Sequence, residues 1–202
     1  MSQERSARTR RLLLGAAARE FAAHGYSGAR LQTVVDRIGM TKGALYGHFA
    51  SKDALAAGVA AEAALAWEGL RGELAASSLD AGKELRFLAE RLARLMDDDT
   101  AFRAAVRLAV EGLREPAEGG LLTAISAHTT TLVRRAQAEQ ALAVGFPPAA
   151  LADLLTAAIF AGAQSGDEPR TDRRTRLTGL WELLGPACRE DRPPSMSPTD
   201  PS

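Results

Sequence analysis

The chain of 202 residues has one cysteine, Cys188, and three histidines, His24, His48 and His128. One thiol forbids an internal disulfide, and scattered histidines offer no ligand spacing, so neither a metal nor a cofactor is expected. Cys188 reads as a bystander in the last helix. No apolar run approaches the roughly twenty residues of a membrane span, and no charged-then-apolar leader opens the sequence. The expected location is therefore cytoplasmic, with no membrane partner. Strand-like alternation and internal repeats are also missing, which leaves helices as the structural vocabulary. A Ser, His and Asp set and a glycine-rich phosphate loop are missing too, so nothing asks for enzymatic turnover.

Net charge is the last thing lacking, because 25 basic residues balance 25 acidic ones. The balance is not local. From residue 1 to 52, Arg5, Arg8, Arg10, Arg11, Arg19, Arg30, Arg37, Lys42 and Lys52 face only Glu4, Glu20 and Asp36, a net of +6. The remaining residues carry the compensating −6. A basic head on an acidic body points to a polyanion partner for the head alone.

Periodicity in the head narrows that partner. A first helix runs from about Ala7 to His24, with Leu13, Ala16, Ala17 and Phe21 as its buried stripe, and stops at Gly25. Leu31, Val34, Val35 and Ile38 recur at helical spacing, and Gly39 supplies the backbone freedom to break that second helix. Thr41 can cap a third, on which Leu45 and Phe49 face inward and Lys42, Gly43, Tyr46 and His48 face out. This is a helix-turn-helix whose second helix enters the major groove of double-stranded DNA. Lys42, near the start of that helix, is placed to reach guanine O6 and N7. Gly43 keeps the helix close to the groove, or is simply tolerated. Tyr46 and His48 are expected to donate to phosphates, with Tyr46 also packing partly under the helix. Lys52 is expected to reach a phosphate from the start of the next helix, where free amides also favour an anion. Arg8, Arg10 and Arg11 either follow the backbone from a flexible arm or are solvated charges.

The rest of the chain reads as helices. Ser51 caps a long one that ends near Ala75, with Leu55, Val59, Ala63, Trp67, Leu70 and Leu74 down one face. Leu85, Leu88, Leu92 and Leu95 mark the next, then Phe102, Val106 and Val110, then Leu122, Ile125, Leu132 and Val133. Pro147 and Pro148 open an apolar helix reaching Gln164, and Leu177, Leu180, Trp181 and Leu184 mark the last. After Arg189 the tail is too polar and proline-rich to fold. The expected fold is all-α: a three-helix head over residues 1–50, a helical body over 51–189 and a disordered tail over 190–202.

Two further features of the body bear on function. Trp67, Phe87, Phe102, Val106, Ile125, Leu132 and Phe160 lie on successive helices and could line a cavity, with Arg91, Arg107, Thr129 and Gln164 as sparse polar groups. That mixture suits a small, mostly apolar effector, and it equally suits an ordinary core. The helix from Pro147 to Gln164 is apolar on more than one side. With the last helix it forms either a four-helix interface between two copies or the buried centre of one body. Two copies set one DNA turn apart would read a palindrome.

Phe21, Gly25-Tyr26, Leu31, the run Thr41-Lys42-Gly43-Ala44-Leu45-Tyr46, His48-Phe49 and Ser51-Lys52 resemble the N-terminal domain of TetR-type regulators. Arg103 to Gly112 and Leu180-Trp181 resemble segments of the γ-butyrolactone autoregulator receptors, a branch of that family. The resemblance implies a homodimeric repressor released from its operator by a small molecule, or a pseudo-receptor of the same fold that acts without ligand or through a partner. The chain departs from the pattern twice in the head. Gly47 stands where the family usually has a large side chain, a second glycine that costs up to about 1 kcal/mol relative to alanine. Ala29-Arg30 stands where a Ser or Thr usually caps the second helix, and Arg30 can replace the phosphate contact but not the cap. The receptors also carry a ligand-contacting tryptophan early in the helix after the glycine-rich loop. Here Leu121 to Thr131 has none, so a γ-butyrolactone is not the expected ligand, which leaves open a related furan or butenolide, a different antibiotic-like molecule, or no ligand at all.

Overall fold

The computed structural model describes residues 2–112, 120–142, 144–163 and 170–184. Cys188, Gln164 and the tail from 190 onward lie outside them. Among the described residues there are nine helices and no strand: α1 Ser2–Gly28, α2 Leu31–Arg37, α3 Lys42–Tyr46, α4 Lys52–Ala75, α5 Ala81–Asp98, α6 Thr100–Val110, α7 Leu121–Ala138, α8 Pro148–Phe160 and α9 Arg170–Leu184. None is long and apolar enough to cross a membrane.

Short polar residues start α3 to α6 by satisfying amides that have no partner in the first turn. Thr41 accepts from the Ala44 amide at 3.2 Å, Ser51 from Ala54 at 3.0 Å and Asp80 from Lys83 at 2.9 Å. Asp99 ends α5 and begins α6, its carboxylate accepting from both Ala101 and Phe102. The α2 helix has Arg30 at its N-cap and no side-chain cap, as the missing Ser or Thr implied. Gly39 carries the turn to α3 with φ +65°.

The apolar stripes close into two cores. In the head, Leu13, Leu14, Ala17 and Phe21 of α1 meet Val34, Val35, Leu45 and Phe49, and the same cluster takes in Leu55, Ala56 and Val59 of α4 and Ala104 and Leu108 of α6. In the body, Ala63, Trp67, Leu70 and Leu74 of α4 meet Leu85, Leu88, Leu92, Phe102, Val106, Ile125, Leu132, Leu151 and Ile159. Thus α4 and α6 each belong to both cores. Arg173, only 3% exposed, ties α9 into the body: its Nε donates to the Ile159 carbonyl at 2.8 Å and its guanidinium pairs with Asp97.

Three expectations are corrected here. The first helix begins at Ser2 rather than near Ala7, because Gln3, Glu4 and Arg5 are good helix formers and Glu4 sits in the positive first turn. Arg8, Arg10 and Arg11 therefore ride on a helix and not on a flexible arm, and the Arg10 guanidinium lies 5.1 Å over the Phe49 ring. The apolar helix opened by the prolines ends at Phe160, since Ala161 leaves the helical backbone at ψ 143°.

Candidate nucleic-acid interface

The recognition surface is built by two anchors. Leu45 is fully buried and Phe49 nearly so, which turns the opposite side of α3 to solvent. Thr41, Lys42, Gly43 and Tyr46 all lie on that exposed side, Tyr46 being 51% exposed. Thr41 spends its hydroxyl on capping, and His48, at the edge of the surface, is half-buried. Gly43 faces open space, its nearest neighbour being the Thr41 hydroxyl 3.8 Å from where a Cβ would sit. Gly47 follows in ordinary right-handed backbone, φ −69°, so the recognition face is bare at two positions by sequence and not by conformational need. Arg30 is exposed at the start of α2.

Lys52 is placed differently from its expected role. Its ammonium donates to the Ala29 carbonyl at 2.7 Å and lies 4.7 Å over the Tyr26 ring, so it clasps the α1–α2 junction instead of standing free at the start of α4. Tyr26 completes that clasp. Its hydroxyl donates to Asp53, and this bond, with some desolvation, raises the phenol above its usual pKa. Glu20, a buried carboxylate on α1, accepts from the Arg30 amide at 3.1 Å and sits 3.9 Å from the Arg37 guanidinium. It anchors the entry of α2, which has no cap of its own. The contacts of Glu20, Tyr26 and Asp53 were not legible in the sequence, because a contact between separate helices leaves no periodic signal. The helical spacing of Glu20 beside Ala16 and Ala17 was the only hint that it faces inward.

The proposed effector residues divide. Trp67, Phe102, Val106, Ile125 and Leu132 belong to one buried cluster, with Phe87 and Phe160 packed against it, and Thr129 is buried as well. Phe102 and Phe160 meet at 6.5 Å between ring centroids. Of the polar groups, Arg91 and Arg107 turn away from that cluster, and Gln164 lies outside the described residues. Arg91 points outward and grips Glu73 through two bonds of 3.1 and 2.8 Å, a pairing between α5 and α4 on the surface. Arg107 points to the head, where it donates to the Ala22 carbonyl at 2.9 Å. Thr129 satisfies its hydroxyl on the Ile125 carbonyl of its own helix. An open cleft of about 610 Å3 lies elsewhere, between α1 and the α5–α6 corner, with Arg19, Arg94 and Asp98 in its lining.

One polar group that sequence reasoning set aside does enter the cluster. His128 meets Trp67 edge-on, with ring centroids 5.5 Å apart. Trp67 Nε1 and His128 Nε2 are both buried without a hydrogen-bond partner. Burial, aided by the Arg71 and Arg135 charges and opposed by Glu84, holds the imidazole below its ordinary pKa. Spacing was the available signal, because position 128 lies between Ile125 and Leu132 on the buried face of α7.

Residues 13–59 match the bacterial regulatory proteins of the tetR family. The chain is 30% identical over 201 residues to the HTH-type transcriptional repressor Rv1474c of Mycobacterium tuberculosis, covering 94% of this chain and 97% of that protein. It is also 30% identical over 191 residues to the A-factor receptor protein of Streptomyces griseus, covering 92% of this chain but only 65% of the receptor's length. Among solved structures, a gamma-butyrolactone receptor described as ArpA-like superposes with a TM-score of 0.78 at 25% identity, over 93% of this chain and 94% of that one. The helix-turn-helix head, the all-helical body and the receptor-like superposition agree with the resemblance read from the sequence. The chain belongs to the tetR family of bacterial regulatory proteins, DNA-binding transcription factors and not enzymes, and resembles its γ-butyrolactone receptor branch.

Proposed function

We propose that the protein is a cytoplasmic homodimeric repressor that a small, mostly apolar effector releases from a palindromic operator. The observation that carries the DNA half is the outer face of α3, where Lys42, Gly43 and Tyr46 stand free on a basic head. Lys42 reads a base edge, while Tyr46, His48 and Arg30 hold phosphates. One such helix is too short for tight, specific binding, and a dimer doubles it. Leu154 of α8, 48% exposed, with Ala157 beside it and the half-buried Leu180 and Trp181 of α9, supplies an apolar surface for that pairing. Binding-site selection with the full chain, followed by mobility shift of the selected site at several salt concentrations, tests this half. Recovery of no palindrome would overturn it.

The effector half is supported by the unsatisfied Trp67 and His128 nitrogens. Buried polar atoms are paired in most proteins, so two orphans in contact mark a place where a ligand oxygen fits. The effector then has an apolar body and one group that accepts from the indole and engages the imidazole. The relatives are named as receptors for A-factor and a gamma-butyrolactone, but Leu121 to Thr131 lacks the receptor tryptophan, which favours a different molecule. Quenching of tryptophan fluorescence across a panel of lactones, furans and phenols, lost in Trp67→Phe, identifies it.

A second reading has its own support. Phe102, Val106 and Ile125 are completely buried, as core residues of a ligand-independent pseudo-receptor would be. A protein that binds its operator but responds to no compound in such a panel is that pseudo-receptor.

A further inference from the structure

We propose that Arg107 and Glu111 of the α6 end are positioning residues for operator binding, because together they replace a backbone rung that α1 loses at Gly25. In an unbroken helix the Tyr26 amide would donate to the Ala22 carbonyl. Gly25, at φ +65° and ψ −173°, swings that amide away and opens the rung. The two orphaned groups are then taken up by one side-chain pair from another helix. Arg107 Nη1 donates to the Ala22 carbonyl at 2.9 Å, and Glu111 Oε2 accepts from the Tyr26 amide at 2.8 Å. Between them, Arg107 Nε donates to Glu111 Oε1 at 2.9 Å and closes the circuit. The fit is tight, since a Cβ on residue 25 would lie 2.0 Å from Glu111 Oε1.

The consequence for DNA binding follows from what Tyr26 holds. Its hydroxyl bonds Asp53 and its ring lies beneath Lys52, whose ammonium grips Ala29 one residue before the α2 N-cap. The entry of the helix-turn-helix is thus fastened on one side to α4 and on the other to α6. Phe102 and Val106 of α6 lie in the body core, while Ala104 and Leu108 lie in the head core. Any rotation of α6 must carry the 22–26 turn with it or break two charge-assisted bonds. The body therefore sets the seating of the recognition helix through this rung as well as along α4. This inference rests on the repressor reading for its DNA end only.

The test uses the full-length chain and the palindrome that the wild type selects. Glu111→Ala and Arg107→Met should each weaken binding to that palindrome about tenfold, within the range typical of coupling between sites. Binding to random-sequence DNA, which needs charge and not fixed head geometry, should hold, and the variants should lose discrimination against a spacer lengthened by one base pair. The exchanged pair Arg107→Glu with Glu111→Arg should fail to restore binding, because a carboxylate cannot donate to the Ala22 carbonyl. Rescue by the exchange would mean an ordinary ion pair and overturn the rung. Glu111→Gln keeps an acceptor for Tyr26 and should fall between wild type and Glu111→Ala, which guards against loss from misfolding alone. Amide exchange supplies a readout without DNA: Tyr26 should be protected in the wild type and lose that protection in Glu111→Ala. Unchanged protection overturns the rung, and lost protection with unchanged operator affinity and spacing preference overturns the positioning role. If the wild type selects no palindrome, the repressor reading fails, and the positioning role with it, while exchange still decides the rung.

Discussion

Trp67 and His128 meet edge to face at 5.5 Å, and each leaves a ring nitrogen buried and unpartnered. The pair joins α4, which runs from the head, to α7 of the body. Trp67 lies in the apolar body core, while Arg71, Glu84 and Arg135 lie near enough to act on His128, and the pair's first observable effect is on pH dependence.

Burial holds His128 below its ordinary pKa of 6.5, with Arg71 and Arg135 acting in the same direction and Glu84 against them. A base depressed in this way takes up its proton more readily once unfolded. Its contribution to stability is therefore complete above the unfolded value, about 6.5, and drains as pH falls to and through the lower folded value. Urea midpoints measured at steps below neutrality should fall in the wild type with a component that His128→Asn lacks. Identical slopes in the two proteins would show that the imidazole titrates normally.

Lys42 and Lys52, ten residues apart, should separate cleanly. Lys42→Ala is expected to cost about 1–3 kcal/mol and relax preference at one base pair of each half-site. Lys52→Met should weaken operator binding by loosening the α1–α2 junction, without removing about one unit per site from the salt slope as a lost phosphate contact would. A full unit lost per site would show that the ammonium leaves Ala29 for DNA.

Exposure decides the value of two ion pairs. Arg173 and Asp97 are both largely buried, so Arg173→Met strips a carboxylate of its guanidinium inside the body and should cost about 3–5 kcal/mol in chemical denaturation. Arg91 and Glu73 are partly exposed, and Arg91→Ala should cost about 0–1 kcal/mol. Equal losses would contradict the burial argument.

Assembly turns on a choice between two residues of α8. Ile159 is buried in the chain's own body, so Ile159→Arg should unfold the body instead of merely separating subunits. Leu154 is exposed, and Leu154→Arg should leave the helical signal intact while sedimentation shows monomers. A Leu154→Arg variant that still sediments as a dimer moves the interface off α8.

What the sequence made legible was local. The stripe from Leu55 to Leu74 specifies α4, and Thr41, Leu45 and Phe49 specify which side of α3 faces out, because each depends on spacing within a single helix. The positions of Arg91 and Arg107 were not legible: both sit on amphipathic helices at sites compatible with an inward polar group, and only their partners on other helices decide. Glu73 draws one outward, and Ala22, 85 residues away, draws the other to the head. His128 was hidden for a different reason. A lone histidine followed by three threonines looks like a surface residue unless the phase of its helix is read together with its neighbours.

Because α4 and α6 each contribute to both cores, the head is not a detachable module. A fragment ending at residue 50 would lack Leu55, Ala56, Val59, Ala104 and Leu108, and would expose the apolar face of α1 that they cover. Exchanging DNA specificity with a relative by swapping heads therefore needs a cut that respects α6. A chimera must carry residues 101–111 along with the first 59, or rebuild their packing against α1 in the recipient. The surface presented to DNA is contiguous in the chain, but the minimum graft that preserves it is not.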